Sequence, residues 1–161
     1  MTQTTNAPAL HPQTTARLHE LGLELPAPSN SVASYVPATR VGDLVYTSGQ
    51  LPHENGVLAS TGKVGSDVSA EEASALAATC VLNALSAASA LGDLDKARIV
   101  KVVGFVASAP GFNGQPAVIN GASDLLLDIF GDRGAHARSA VGVAELPLNA
   151  PVEVELIVEF F

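Results

Sequence analysis

Along the last quarter of the chain, apolar and polar residues alternate. Val152, Val154, Leu156, Val158 and Phe160 fall on one face of an extended segment, and Glu153, Glu155, Ile157 and Glu159 fall on the other. This period of two predicts a strand with one face in the core and the other carrying carboxylates. Upstream, Ala137-Arg138-Ser139-Ala140-Val141-Gly142-Val143-Ala144 reads as a second strand, joined to the first by a corner at Leu146-Pro147. Arg138 shares its face with Ala140, Gly142 and Ala144, so its own strand does not crowd the guanidinium. One arginine beside several strand carboxylates suggests a site for a small anionic ligand.

The rest of the pattern supplies a scaffold. Tyr35–Val41 and Leu44–Gln50 are apolar runs around Gly42-Asp43, which predicts a hairpin. At its end Gly49 permits a close backbone approach and Ser48 offers a hydroxyl, although ordinary turn chemistry accounts for both residues as well. His53–Asp67, rich in glycine and polar residues, reads as a loop. Ser69-Ala70-Glu71-Glu72 is a capping box opening a long helix. Its Ala73, Leu76, Ala77, Cys80, Ala84, Leu85, Ala88 and Leu91 recur at helical spacing up to a stop at Gly92. Ile99–Val106 is almost continuously apolar and predicts a central strand buried on both faces. A second helix is expected from about Pro116 to Phe130, with Val118, Ile119, Ala122, Leu125, Leu126 and Ile129 as its buried stripe. Residues 1–13 lack periodicity, Thr14–Leu21 fits a short helix ended by Gly22, and Leu25–Asn30 with its two prolines is a connector. The order predicts an α+β fold, a mixed sheet with two helices packed on one face.

Composition narrows the partners. The chain has 161 residues, 47% hydrophobic and 15% charged, with a net charge of −8 and only 8 Lys+Arg. So apolar a composition favours burial of some apolar surface between subunits. So acidic a chain is unsuited to nucleic-acid phosphates or anionic lipid. Cys80 is the single cysteine, which leaves no internal disulfide, and it is expected to be buried in the long helix. The start lacks a leader-like pattern and no run of about 18 apolar residues occurs, so a soluble, cytoplasmic protein is expected. His11, His19, His53 and His136 are scattered and no metal or nucleotide fingerprint occurs, so neither metal nor cofactor is expected. His136, two residues before Arg138, is either a loop histidine beside the strand or part of the cleft.

Tyr35-Val36, Gly42-Asp43-Leu44-Val45-Tyr46-Thr47-Ser48-Gly49-Gln50, Ala137-Arg138-Ser139, Leu146-Pro147 and Val152-Glu153-Val154-Glu155 together resemble the RidA (YjgF/YER057c/UK114) family over about residues 33–160. The resemblance divides the chain into a tail with a short helix, 1–32, and a RidA-like domain, 33–161. It implies a chorismate-mutase-like fold, a homotrimer, and ligand clefts between subunits. It also implies hydrolysis of reactive enamine/imine intermediates, 2-imino acids, to 2-keto acids and ammonia. By position Arg138 matches the family's carboxylate-binding arginine and Glu153 its active-site glutamate. Tyr35, Ser48, Gly49 and Asn120 match other substrate-binding positions. Ala140 stands where many members have cysteine, and the Asn120 segment lacks the usual nearby aromatic, which marks a divergent branch with an N-terminal extension.

The chemistry fits these roles. A planar guanidinium grips a carboxylate through two parallel hydrogen bonds, and a carboxylate within reach of a water can orient or deprotonate it. Each residue also has a plainer explanation: an ion pair of Arg138 with Glu153, Glu155 or a neighbouring subunit's carboxylate, a solvated strand charge for Glu153, an edge-strand aromatic for Tyr35, a helix-surface amide for Asn120. Three functions therefore stand side by side: the imine deaminase, a trimeric module that binds small carboxylate metabolites without turnover, and, less favoured by the charge, an endoribonuclease.

Overall fold

The computed structural model describes residues 10–28 and 34–161. The expected tail up to residue 9 and the end of the proline connector lie outside them. In chain order the elements are helix α1 (Pro12–Glu20), strands β1 (Ala38–Val41), β2 (Leu44–Thr47), β3 (His53–Glu54) and β4 (Val57–Leu58), helix α2 (Ala70–Ser89), strand β5 (Ala97–Ala107), helix α3 (Gln115–Phe130), and strands β6 (Ala137–Val143) and β7 (Val152–Phe160).

One mixed sheet runs in the order β1-β2-β7-β5-β6, with β3 and β4 as a separate small hairpin. β5 pairs with β6 in parallel and with β7 antiparallel. It has this arrangement because α3 is the crossover that returns the chain parallel to β5, whereas the corner at Leu146-Pro147 sends β7 back on the other side. The alternation in β7 is as expected: Val152, Val154, Leu156, Val158 and Phe160 are buried, and Glu153, Glu155, Ile157 and Glu159 are half-exposed. α2 and α3 cover the first of these faces. Ala73, Ala77, Cys80, Ala84 and Ala88 are all fully buried along α2, and so short a side-chain layer lets the helix lie close on the strands. Ser69 Oγ accepts from the Glu72 amide at 3.1 Å and starts that helix as its sequence specifies. The fold is an α+β, chorismate-mutase-like sheet with two helices on one face.

Three expectations change. β5 is buried only on the helix side, through Ile99, Val102 and Val106, while Val103 and Phe105 are half-exposed on the face no helix covers. β7, not β5, is the middle strand. His53–Asp67 contains the β3–β4 hairpin, turned by Asn55 and Gly56 at φ 53° and 80°; Asn-Gly is the pair that tolerates such angles at both turn positions. Finally, β1 begins at Ala38, so Tyr35 precedes the strand.

α1 packs onto this frame with Leu18 in the core. Its first turn has no cap of its own. Asp95, in the turn before β5, accepts from the Gln13 and Thr14 amides at 3.0 and 2.8 Å and from the Thr14 hydroxyl at 2.8 Å. Burial opposes ionisation of Asp95, but these donors outweigh it and hold its carboxyl below the ordinary range.

Candidate functional site in two halves

The first half is built on β6 and α3. Arg138 stands beside Val102 of β5 in the register of the sheet, and Val102 is fully buried beneath the helices. Arg138 therefore points to the helix side. There its Nη1 donates to Asn120 Oδ1 at 2.7 Å and to Ser123 Oγ at 3.2 Å. Asn120 and Ser123 lie three apart on α3 and so share a helix face. Its own strand leaves the guanidinium uncrowded as expected, but α3 holds it. Among the described residues no carboxylate pairs with Arg138, which removes the ion pair with Glu153 or Glu155 within one chain as an explanation. Ser123 is buried, and its hydroxyl also meets His136 Nε2 at 2.8 Å. His136 Nδ1 lies 2.6 Å from the Gly134 carbonyl. His136 is thus both a loop residue and a member of this network. The sequence pattern does not single out Ser123; its i+3 relation to Asn120 is the signal that points to it.

The second half is on the other side of the sheet. Glu153 pairs with Phe105 of β5 and shares its open face. Its carboxylate lies over the backbone of Gly49: a β-carbon at Gly49 would fall on Glu153 Oε1. The missing side chain at Gly49 is what leaves the Glu153 carboxylate its place against the strand end. Half-burial, with a smaller contribution from the like charge of Glu155, raises the Glu153 carboxyl above its ordinary value. Among the described residues no cation pairs with it. Ser48 joins this half through its backbone neighbours. Its hydroxyl donates to the Val36 carbonyl at 2.6 Å and its amide to the Pro37 carbonyl at 2.8 Å, which fixes the segment carrying the exposed Tyr35.

The structure thus groups Arg138 with Asn120, and Glu153 with Ser48, Gly49 and the Tyr35 segment, but it does not bring the two groups together within one chain. Two clefts, of about 830 and 470 Å³, open beside α1, α2 and the linker at residues 22–28, and none of these six residues lines either one. Cys80, on the helix side, is fully buried, and burial pushes its thiol up, away from nucleophilic use. Among the described residues no three His, Cys, Asp or Glu side chains are grouped to hold a metal ion, and no helix is long and apolar enough to cross a membrane.

Comparison with known proteins adds a third line of observation. Protein TCP17 of Trypanosoma cruzi is 45% identical over 147 residues, covering 89% of this chain and 92% of its own. A 2-iminobutanoate/2-iminopropanoate deaminase of Dermatophagoides farinae is 34% identical over 136 residues, covering 84% and 93%. The crystal structure of Atu1372 from Agrobacterium tumefaciens, of unknown function, superposes with a TM-score of 0.87 at 48% identity, covering 94% and 95%. The model of the family described as Endoribonuclease L-PSP matches residues 26–160. With the Ser48-Gly49 and Arg138 blocks and the Glu153 strand set in this fold, the chain belongs to that family, the RidA (YjgF/YER057c/UK114) family.

Proposed function

We propose that the protein is a homotrimer that hydrolyses 2-imino acids to 2-keto acids and ammonia in clefts between its subunits. Arg138 of one copy grips the substrate carboxylate, and Glu153 of the next directs the water. The observation that carries this reading is the way Arg138 is held. Both Nη1 protons are committed to Asn120 and Ser123. The Nε–H and Nη2–H edge has no acceptor among the described residues, and that edge presents the two parallel donors a carboxylate takes. The similar deaminase named above supports the choice of substrate class.

The chemistry asks little of the protein. Water adds to the protonated imine carbon while Glu153 accepts its proton; Glu153 returns that proton to the carbinolamine nitrogen, the C–N bond breaks to release ammonia, and the hydroxyl proton passes to solvent as the C–O bond becomes the keto group. A carboxylate raised above its ordinary range, as Glu153 is, is a better base near neutrality than a solvated one. Positioning by Arg138 and Glu153 contributes ~2–4 kcal/mol over a reaction already facile in water. Gly49 leaves room for the Glu153 carboxylate, Ser48 holds the Tyr35 segment at the cleft rim, and Asn120 orients Arg138. The test generates 2-iminobutanoate or 2-iminopropanoate in situ and follows ammonia release, which the protein should accelerate above the buffer rate. Binding of 2-keto acids without acceleration of any imine would leave a carboxylate-binding module instead.

The description of the family model raises RNA cleavage as a second reading. The chain's net charge of −8 and the row of Glu153, Glu155 and Glu159 along the open face oppose it by repelling phosphates. Tight RNA binding that weakens steeply with salt would favour it.

A further inference from the structure

The Arg138 guanidinium is not held by Asn120 alone, and the second tether is longer than one residue. Resting on the reading of Arg138 as the carboxylate grip, we propose that Ser123 and His136 are positioning residues. They form a directional relay that fixes the angle at which Arg138 meets its ligand. The direction of each bond follows from chemistry. The Gly134 carbonyl can only accept, so His136 Nδ1, 2.6 Å away, carries a proton and donates. In the neutral ring Nε2 is then left as an acceptor. The Ser123 hydroxyl, 2.8 Å away, donates its single proton there. With that proton committed, the oxygen of Ser123 faces Arg138 as a pure acceptor and takes the Nη1–H at 3.2 Å.

The far end of the relay is anchored as well. A β-carbon on Gly134 would fall on the Leu126 carbonyl, so the Gly134 backbone packs directly against the end of α3. Ser123 is buried on that same helix. The relay therefore ties β6 to α3 through side chains. Without it, Arg138 keeps its charge and the Asn120 bond but can rotate about that single tether, and the two-pronged edge loses its fixed aim.

The experiment compares affinity for 2-ketobutanoate with affinity for 2-ketobutanamide, which lacks the carboxylate, in wild type, Ser123→Ala, His136→Ala, His136→Gln and Arg138→Ala, with oligomeric state and thermal unfolding recorded for each. Ser123→Ala and His136→Ala are expected to weaken the acid by about tenfold with the amide unchanged. His136→Gln, whose amide oxygen can accept at the former Nε2 position, is expected to recover most of the selectivity. In turnover the same losses should appear in KM and not in kcat. Loss of acid and amide binding together would show a merely structural role and overturn the relay. So would wild-type selectivity in Ser123→Ala, provided that Arg138→Ala abolishes acid binding. Wild-type acid binding in Arg138→Ala would overturn the carboxylate grip itself, and the relay with it.

Discussion

Arg138 and Glu153 lie on opposite faces of one sheet. Through β5, Arg138 is level with Val102 and Glu153 with Phe105, two strands apart and three residues along. Standard strand geometry places their Cα atoms roughly 14 Å from one another, with side chains diverging. No small ligand can touch both from the same chain. If both serve one reaction, the arginine half of one copy meets the glutamate half of another.

The first prediction concerns assembly. The open face carries Val41, Tyr46 and Val141 at 66%, 42% and 44% exposure in the isolated chain, with Val103 and Phe105 half-exposed among the carboxylates. Such a face needs a partner. Sedimentation at low micromolar concentration should give three times the chain mass of 16.4 kDa. A monomer would contradict it.

Arg138→Ala should weaken 2-keto acid binding by about 30-fold or more, the loss of a charge-assisted bidentate contact. Thermal unfolding should stay close to wild type, because among the described residues the guanidinium hydrogen-bonds only to Asn120 and Ser123. Calorimetric titration decides the matter.

Gly49→Ala tests the close approach. The new methyl would displace the Glu153 carboxylate, the mobile end of a side chain, so the fold should tolerate it. Imine turnover should fall by about 10–100-fold. Unchanged turnover would separate the Glu153 position from catalysis.

Glu153 also links stability to pH. Its carboxyl is raised by half-burial first and by Glu155 second. The folded state therefore binds its proton more tightly than the unfolded state does. Ionised Glu153 costs stability above its folded pKa, and that cost disappears as pH falls below the unfolded value. Glu153→Gln should raise Tm at neutral pH, by no more than about 2 °C because water screens the group, and should give no gain in acid. A gain that persists or grows in acid would reverse the assignment.

The N-terminal helix offers a control away from the site. Asp95→Ala removes the acceptor that caps α1 from outside and should cost about 1 kcal/mol, or ~2–4 °C in Tm, with faster amide exchange at Gln13 and Thr14. Because the Asp95 carboxyl is lowered in the fold, this contribution is present above the unfolded pKa and is lost as pH falls through the folded value.

What could be read from the sequence follows from the range of the physics involved. The alternation of β7, the Ser69 cap of α2 and the stripe of α3 are local, and they are where the pattern put them. Asn55-Gly56 carried an equally local hairpin signal, obscured by the polar residues around it. Which face of β6 and which face of β7 meet the helices is not local. The pattern assigned faces to each strand separately, and only their register with β5 shows that Arg138 and Glu153 diverge. The Ser123–His136 contact likewise joins a helix to the loop before a strand, and no spacing along the chain announces it.

The most direct test of a site shared between copies is complementation. Arg138→Ala and Glu153→Gln, each expected to be inactive alone, are mixed in equal amounts, unfolded, refolded together and assayed for imine hydrolysis, with mixed oligomers verified by native mass spectrometry. A site built from Arg138 of one subunit and Glu153 of the next is intact in about one quarter of randomly assorted interfaces, so about one quarter of wild-type activity should return. Mixed oligomers that stay inactive would contradict the account.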